Sequence, residues 1–183
     1  MAEKIYHYPL WIRLWHMVNA ILCLVLIISG ISMQFSEPDR PLISFEMAVT
    51  MHNTAAILLT VNYLFFLIKN RLSGNRKHYR ISEKNYIGLM RKQFRYYTIG
   101  IFRGEDAPFP VTRERKFNPL QQFAYIFVLY GLFPIILITG WGLFFPEIVI
   151  SRIFGVSGLF LTDLLHILSG FFVSLFIDCQ AGA

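Results

Sequence analysis

Charge is what this sequence has least of. Only 15% of its 183 residues are Asp, Glu, Lys or Arg, where soluble domains carry roughly 25%. With 55% apolar and 16% aromatic residues, the chain has too little polar surface to face water all round, which points to a membrane protein. Cysteine is nearly as scarce. Cys23 and Cys179 have no paired spacing, which excludes a disulfide framework and a cysteine motif for covalent cofactor attachment. There is no internal repeat, no low-complexity tract and no clear small-x-small cleavage site after the first apolar run. We therefore expect a single domain, 1–183, whose first apolar segment is a retained helix and not a secretory signal.

What is abundant is long apolar sequence. Four stretches, about 12–33, 45–69, 119–145 and 156–177, reach the roughly 20 residues needed to cross a bilayer. The connections 34–44 and 146–155 are short and carry Pro or Gly. The third, 70–118, is long, polar and basic. Lys4 and Arg13 lie at the start of the chain, and thirteen further Lys and Arg lie from Lys69 to Lys116. With four spans, both termini and the long loop share one side, which then holds 15 of the 17 basic residues; Arg40 and Arg152 are the exceptions. The positive-inside rule makes that side the cytoplasm. The net charge of +6 is a topology signal, and nucleic-acid binding is not expected.

Within the loop, Ile87, Met90, Phe94, Tyr97 and Ile101 recur at three- and four-residue spacing, with Lys84, Arg91, Lys92 and Arg95 facing elsewhere. Ser82 is a candidate cap and Gly104 a candidate stop. This pattern predicts an amphipathic helix in the cytoplasmic interface; the other reading is a helix packed on a partner. The fold class expected is an all-α membrane protein, a four-transmembrane-helix bundle with an amphipathic helix in its cytoplasmic loop.

Three of the five histidines, His16, His52 and His166, fall inside these spans. Ionisable residues there are costly and read first as functional, although a lone histidine can be a hydrogen-bonded packing residue. His52 lies about seven residues, and His166 about ten, from the outer ends of their helices, roughly 10–15 Å deep at 1.5 Å per residue. Two imidazoles at matched depth on different helices suit the two axial positions of a haem iron. Such a haem would be non-covalent, of the b type. His16 lies near the cytoplasmic end of its helix and needs another partner. Fourteen residues beyond His166 a helix returns to nearly the same face about 21 Å further on, and the residue there is Gln180.

Other positions admit two readings. Gly30, Ala56, Gly140, Gly142 and Gly170 leave room either for close helix approach or for a flat macrocycle. Arg13 would pair with a haem propionate or snorkel to the interface. Asn118 before Pro119 reads on its own as a helix cap. His7 and His78 lie in polar segments and read as solvated.

These residues resemble the di-haem cytochrome b subunits of bacterial nickel–iron hydrogenases, formate dehydrogenase-N and thiosulfate reductase. The resemblance covers nearly the whole chain. It rests on Arg13 and His16 opening the first helix, His52 in the second, Lys116-Phe117-Asn118-Pro119-Leu120-Gln121 entering the third, and His166 with Gly170 in the fourth. The Asn-Pro-Leu-Gln stretch is most like the thiosulfate-reductase branch. The resemblance implies two stacked b haems: an outer one held by His52 and His166, and an inner one held by His16 and a second histidine at position 180. It places a quinone beside the inner haem at Asn118, with Gln121 as a further candidate, and a catalytic, iron–sulfur or multihaem redox subunit as partner in the bacterial inner membrane. The chain departs from the pattern at Gln180. The apolar run stops after Ile177 as a truncated or altered terminus would, so one haem is expected and the second is not assumed. No acid–base or nucleophilic group stands out for turnover by this chain alone. The expected function is electron transfer between quinone and a partner oxidoreductase. The alternative is a haem-poor membrane adaptor that anchors a partner without electron transfer.

Overall fold

The computed structural model describes residues 9–35, 43–110 and 116–181. Four helical segments are long and apolar enough to span a membrane: Leu10–Phe35, Phe45–Leu72, Pro119–Phe144 and Gly158–Ile177. We label the helices α1 (Leu10–Phe35), α2 (Phe45–Leu72), α3 (Tyr86–Arg95), α4 (Pro119–Phe127), α5 (Phe133–Phe144) and α6 (Gly158–Ala181). The third span is α4 and α5 joined by a π turn. The protein is an all-α, multi-pass membrane protein. Its outer surface is studded with large apolar side chains, among them Leu24, Ile28, Leu64, Ile138 and Phe171, as expected where lipid replaces water.

The bundle is two helical hairpins side by side. α1 packs along α2 and α5 along α6, and α2 meets α5 between them. The central core joins all four spans through Leu22 and Cys23, Ala55, Leu59 and Tyr63, Val128, Leu132 and Phe133, and Val173. A second cluster forms towards the first helix's start, where Trp15 stacks on Phe66 with ring centroids 4.3 Å apart and its indole N–H donates to the Asn62 carbonyl at 3.1 Å.

The π turn Val128–Leu132 runs into a proline, Pro134. Proline lacks an N–H, so Pro134 cannot close the ring that the Leu129 carbonyl would need in this register. The turn widens, Phe133 N–H bonds to the Val128 carbonyl, and the Tyr63 hydroxyl donates to the Leu129 carbonyl at 2.7 Å. A polar group freed inside a membrane helix is satisfied by a neighbouring helix.

The connections follow local chemistry. After α5 the chain makes a small antiparallel hairpin, Arg152–Ile153 paired with Val156–Ser157. Phe154 and Gly155 occupy its turn, both at positive φ (50° and 83°), the geometry of a two-residue hairpin turn. In the long loop, α3 begins one turn later than the Ser82 cap predicts. Asn85 is the cap, accepting from Gly88 N–H at 3.3 Å, because 82–84 has not yet entered the helix. Gly104 ends the helical run in the left-handed region, as expected. Ile87, Phe94, Tyr97 and Ile101 form an exposed stripe, whereas Gln93 is buried against the protein. The loop helix is thus amphipathic and lies against the bundle with an apolar edge left open.

Candidate haem site

His52 and His166 come from different hairpins, seven residues into α2 and eight into α6. Their ring centroids are 6.3 Å apart, with planes inclined at 69°. With each nearest nitrogen about 2 Å from an iron centred between them, two axial imidazoles place their centroids roughly 6 Å apart. The observed spacing is of that size. Among the described residues no group of three or more His, Cys, Asp or Glu side chains gathers. Two nitrogens are a poor cage for a bare ion, but they are the number that a haem leaves for the protein, since the macrocycle supplies the other four.

Each imidazole is seated the same way. His52 Nδ1 lies 3.0 Å from Ser29 Oγ on α1, and His166 Nδ1 lies 3.0 Å from Thr139 Oγ1 on α5. Ser29 is fully buried and Thr139 nearly so. A glycine follows each hydroxyl, and only the second is pressed by its ring. A Cβ at Gly30 would stand 3.5 Å from His52 Cε1, and one at Gly140 only 3.1 Å from His166 Cε1. So Gly140 clears space for its imidazole, while Gly30 would admit a Cβ in ordinary contact. Gly142, where a Cβ would meet Thr162 and Val149 at 3.3 Å, serves close packing.

Sequence reasoning missed the two hydroxyls. Their signal is the tripeptide Ile28-Ser29-Gly30, echoed as Ile138-Thr139-Gly140, too short to register as a repeat until the fold puts each beside a histidine.

The remaining candidates are placed as follows. His16 is exposed on α1, its ring 6.4 Å from that of Trp15. Arg13 is exposed one turn before it. Lys4, His7, Arg40 and the side chain of Gln180 lie outside the described residues. α6 continues through Ala181, past the point where the apolar run ends. Asn118 is a helix cap after all: its Oδ1 accepts Gln121 N–H at 2.9 Å, and Gln121 Oε1 accepts Asn118 N–H at 3.2 Å, a reciprocal capping box. The amide of Asn118 also donates to the Tyr97 hydroxyl at 2.8 Å, tying the loop helix to the third span.

Beside this cap opens a cavity of about 520 Å³ lined by Lys77, His78, Arg80, Tyr86, Lys116 and Gln122, among others. His78 is therefore not simply solvated. Burial and the nearby Lys116 and Lys77 ammonium groups hold its pKa below the ordinary histidine value, and burial together with Lys77 lowers that of Lys116. Desolvation and like charge both disfavour the protonated form.

Fold and site together define a class: helical membrane proteins that present imidazoles in facing pairs, as membrane haem proteins do. Residues 7–178 match the prokaryotic cytochrome b561 family, and the chain belongs to that family. That family is one of membrane b-type cytochromes. A relative from Escherichia coli (strain K12), YdhU, whose name classes it as a cytochrome, is 41% identical over 148 residues, covering 81% of this chain and 56% of the relative. The chain thus spans about half the length of the curated relative it matches. No solved structure matches it significantly.

Proposed function

We propose that His52 and His166 are the axial ligands of one b haem in the outer half of the membrane, and that this haem passes electrons between membrane quinone and a partner oxidoreductase. The observation that carries the reading is the 6.3 Å separation of the two rings across the hairpin interface. Haem supplies reversible one-electron chemistry at its iron when bound. The chain's own residues supply two nitrogen donors at one depth, an apolar surround, and helices that hold the donors in place.

The quinone side of the proposal rests on the resemblance of Asn118 and Gln121 and on the cavity beside them. Its volume lies in the range of small-molecule sites, and His78 on its wall has a ring N–H to offer a quinone carbonyl. Both termini and the basic loop are assigned to the cytoplasm, in a bacterial inner membrane. A second haem at His16 is not part of this proposal.

The test is spectroscopic. His52→Ala and His166→Ala should each abolish the low-spin b-type absorption of the outer haem in purified protein. An unchanged reduced-minus-oxidised spectrum in either variant would sink the ligand assignment.

A further inference from the structure

The hydroxyls behind the two histidines settle which ring nitrogen carries the proton. Ser29 has one hydroxyl hydrogen. Its Oγ stands 2.6 Å from the Val25 carbonyl and 3.2 Å from that of Leu26, and a carbonyl only accepts. The hydrogen is therefore committed along its own helix, the back-bonding habit of serine and threonine in helices. What remains to Ser29 Oγ is a lone pair, so the contact at 3.0 Å runs from His52 Nδ1–H to the serine. Thr139 repeats the pattern. Its Oγ1 donates towards the Ile135 carbonyl at 2.8 Å and the Ile136 carbonyl at 3.2 Å and accepts from His166 Nδ1–H at 3.0 Å.

We infer that Ser29 and Thr139 are positioning residues for the haem: each holds its histidine as the Nδ1–H tautomer, with the Nε2 lone pair free for the iron. The inference rests on the ligand assignment above. A hydrogen bond to the far side of a metal-ligating imidazole fixes its tautomer and rotation and makes it a stronger donor. Here that bond comes from the other helix of the same hairpin. Each hairpin therefore carries a finished half-site before the two meet: Ser29-Gly30 with His52, and Thr139-Gly140 with His166. The haem would join two preset halves.

Ser29→Ala and Thr139→Val remove the hydroxyls, the second with little change in volume. In membrane-extracted protein with both histidines intact, each should raise the haem dissociation constant about 10–100-fold, the usual cost of losing such a partner. Each should also alter the ferric low-spin electron paramagnetic resonance signal, as ring orientation relaxes. Ser29→Thr and Thr139→Ser keep a hydroxyl in place and should restore both readouts. Unchanged affinity and signal in the first pair overturns the inference. Equal losses in the conservative pair overturn it too, since packing alone would then explain the effect. Should Ser29→Ala not accumulate, Thr139→Val against Thr139→Ser decides. The ligand assignment is read separately: haem lost in His52→Ala and His166→Ala, beside wild-type behaviour in Ser29→Ala and Thr139→Val, sinks the positioning role alone.

Discussion

A few tenths of an ångström separate two glycines that look alike in sequence. A Cβ at Gly140 would press His166 Cε1 at 3.1 Å, tighter than an ordinary contact, while one at Gly30 would rest 3.5 Å from His52 Cε1. Alanine favours a helix over glycine by roughly 1 kcal/mol, so both substitutions have a gain to set against the contact. Gly30→Ala should leave haem occupancy near wild type. Gly140→Ala should push the His166 ring out of line and lower it. Haem-to-protein ratios of the two purified variants check the difference, and equal occupancy would show that the His166 ring yields freely. Gly30 and Gly140 were visible as small residues in apolar runs, but that pattern has a packing explanation at every occurrence. Only the ring beside each glycine separates Gly140 from Gly142.

At the scale of elements, two helix starts and one helix break show how local chemistry shapes the bundle. Asn118 caps the third span through a reciprocal pair with Gln121 and also holds Tyr97 of the loop helix. Replacing such a cap by alanine costs about 0.5–2 kcal/mol, and here the substitution also frees the Tyr97 hydroxyl. Asn118→Ala should lower the thermal midpoint measured by circular dichroism in detergent, and by more than Asn85→Ala. The Asn85 cap lies at the exposed start of α3 and makes one longer bond. A midpoint unmoved by Asn118→Ala would mean that lipid-facing packing alone holds the span's start. The cap was legible beforehand, because Asn followed by Pro is a strong local signal. The π turn before Pro134 was not. Whether a proline kinks, widens or breaks a helix depends on what can satisfy the freed carbonyl, and Tyr63 reaches Leu129 from 66 residues away in sequence.

The whole molecule is organised by which side of the membrane each connection occupies. Cysteine introduced at Ser82 in the long basic loop and at Ser151 in the turn after α5, in a background lacking the native cysteines, should label from opposite sides with a membrane-impermeant maleimide. Ser82 should react only from the cytoplasmic side. Labelling of both from one face would require an even number of crossings between them and would overturn the four-span topology. The haem site also belongs to this scale. His52 and His166 are 114 positions apart, and they face one another only because the α1–α2 and α5–α6 hairpins pack through the contact of α2 with α5.

The sequence by itself determined the spans and the matched depth of the two histidines. Each follows from period, length and charge along a single helix, quantities that a membrane forces into register with its thickness. Only the tertiary structure decided what stands behind each imidazole. The partners of His52 and His166 sit on α1 and α5, and their identity turns on how far one helix is rotated against its neighbour. That rotation is set by side-chain packing across the hairpin, and no spacing within either helix encodes it.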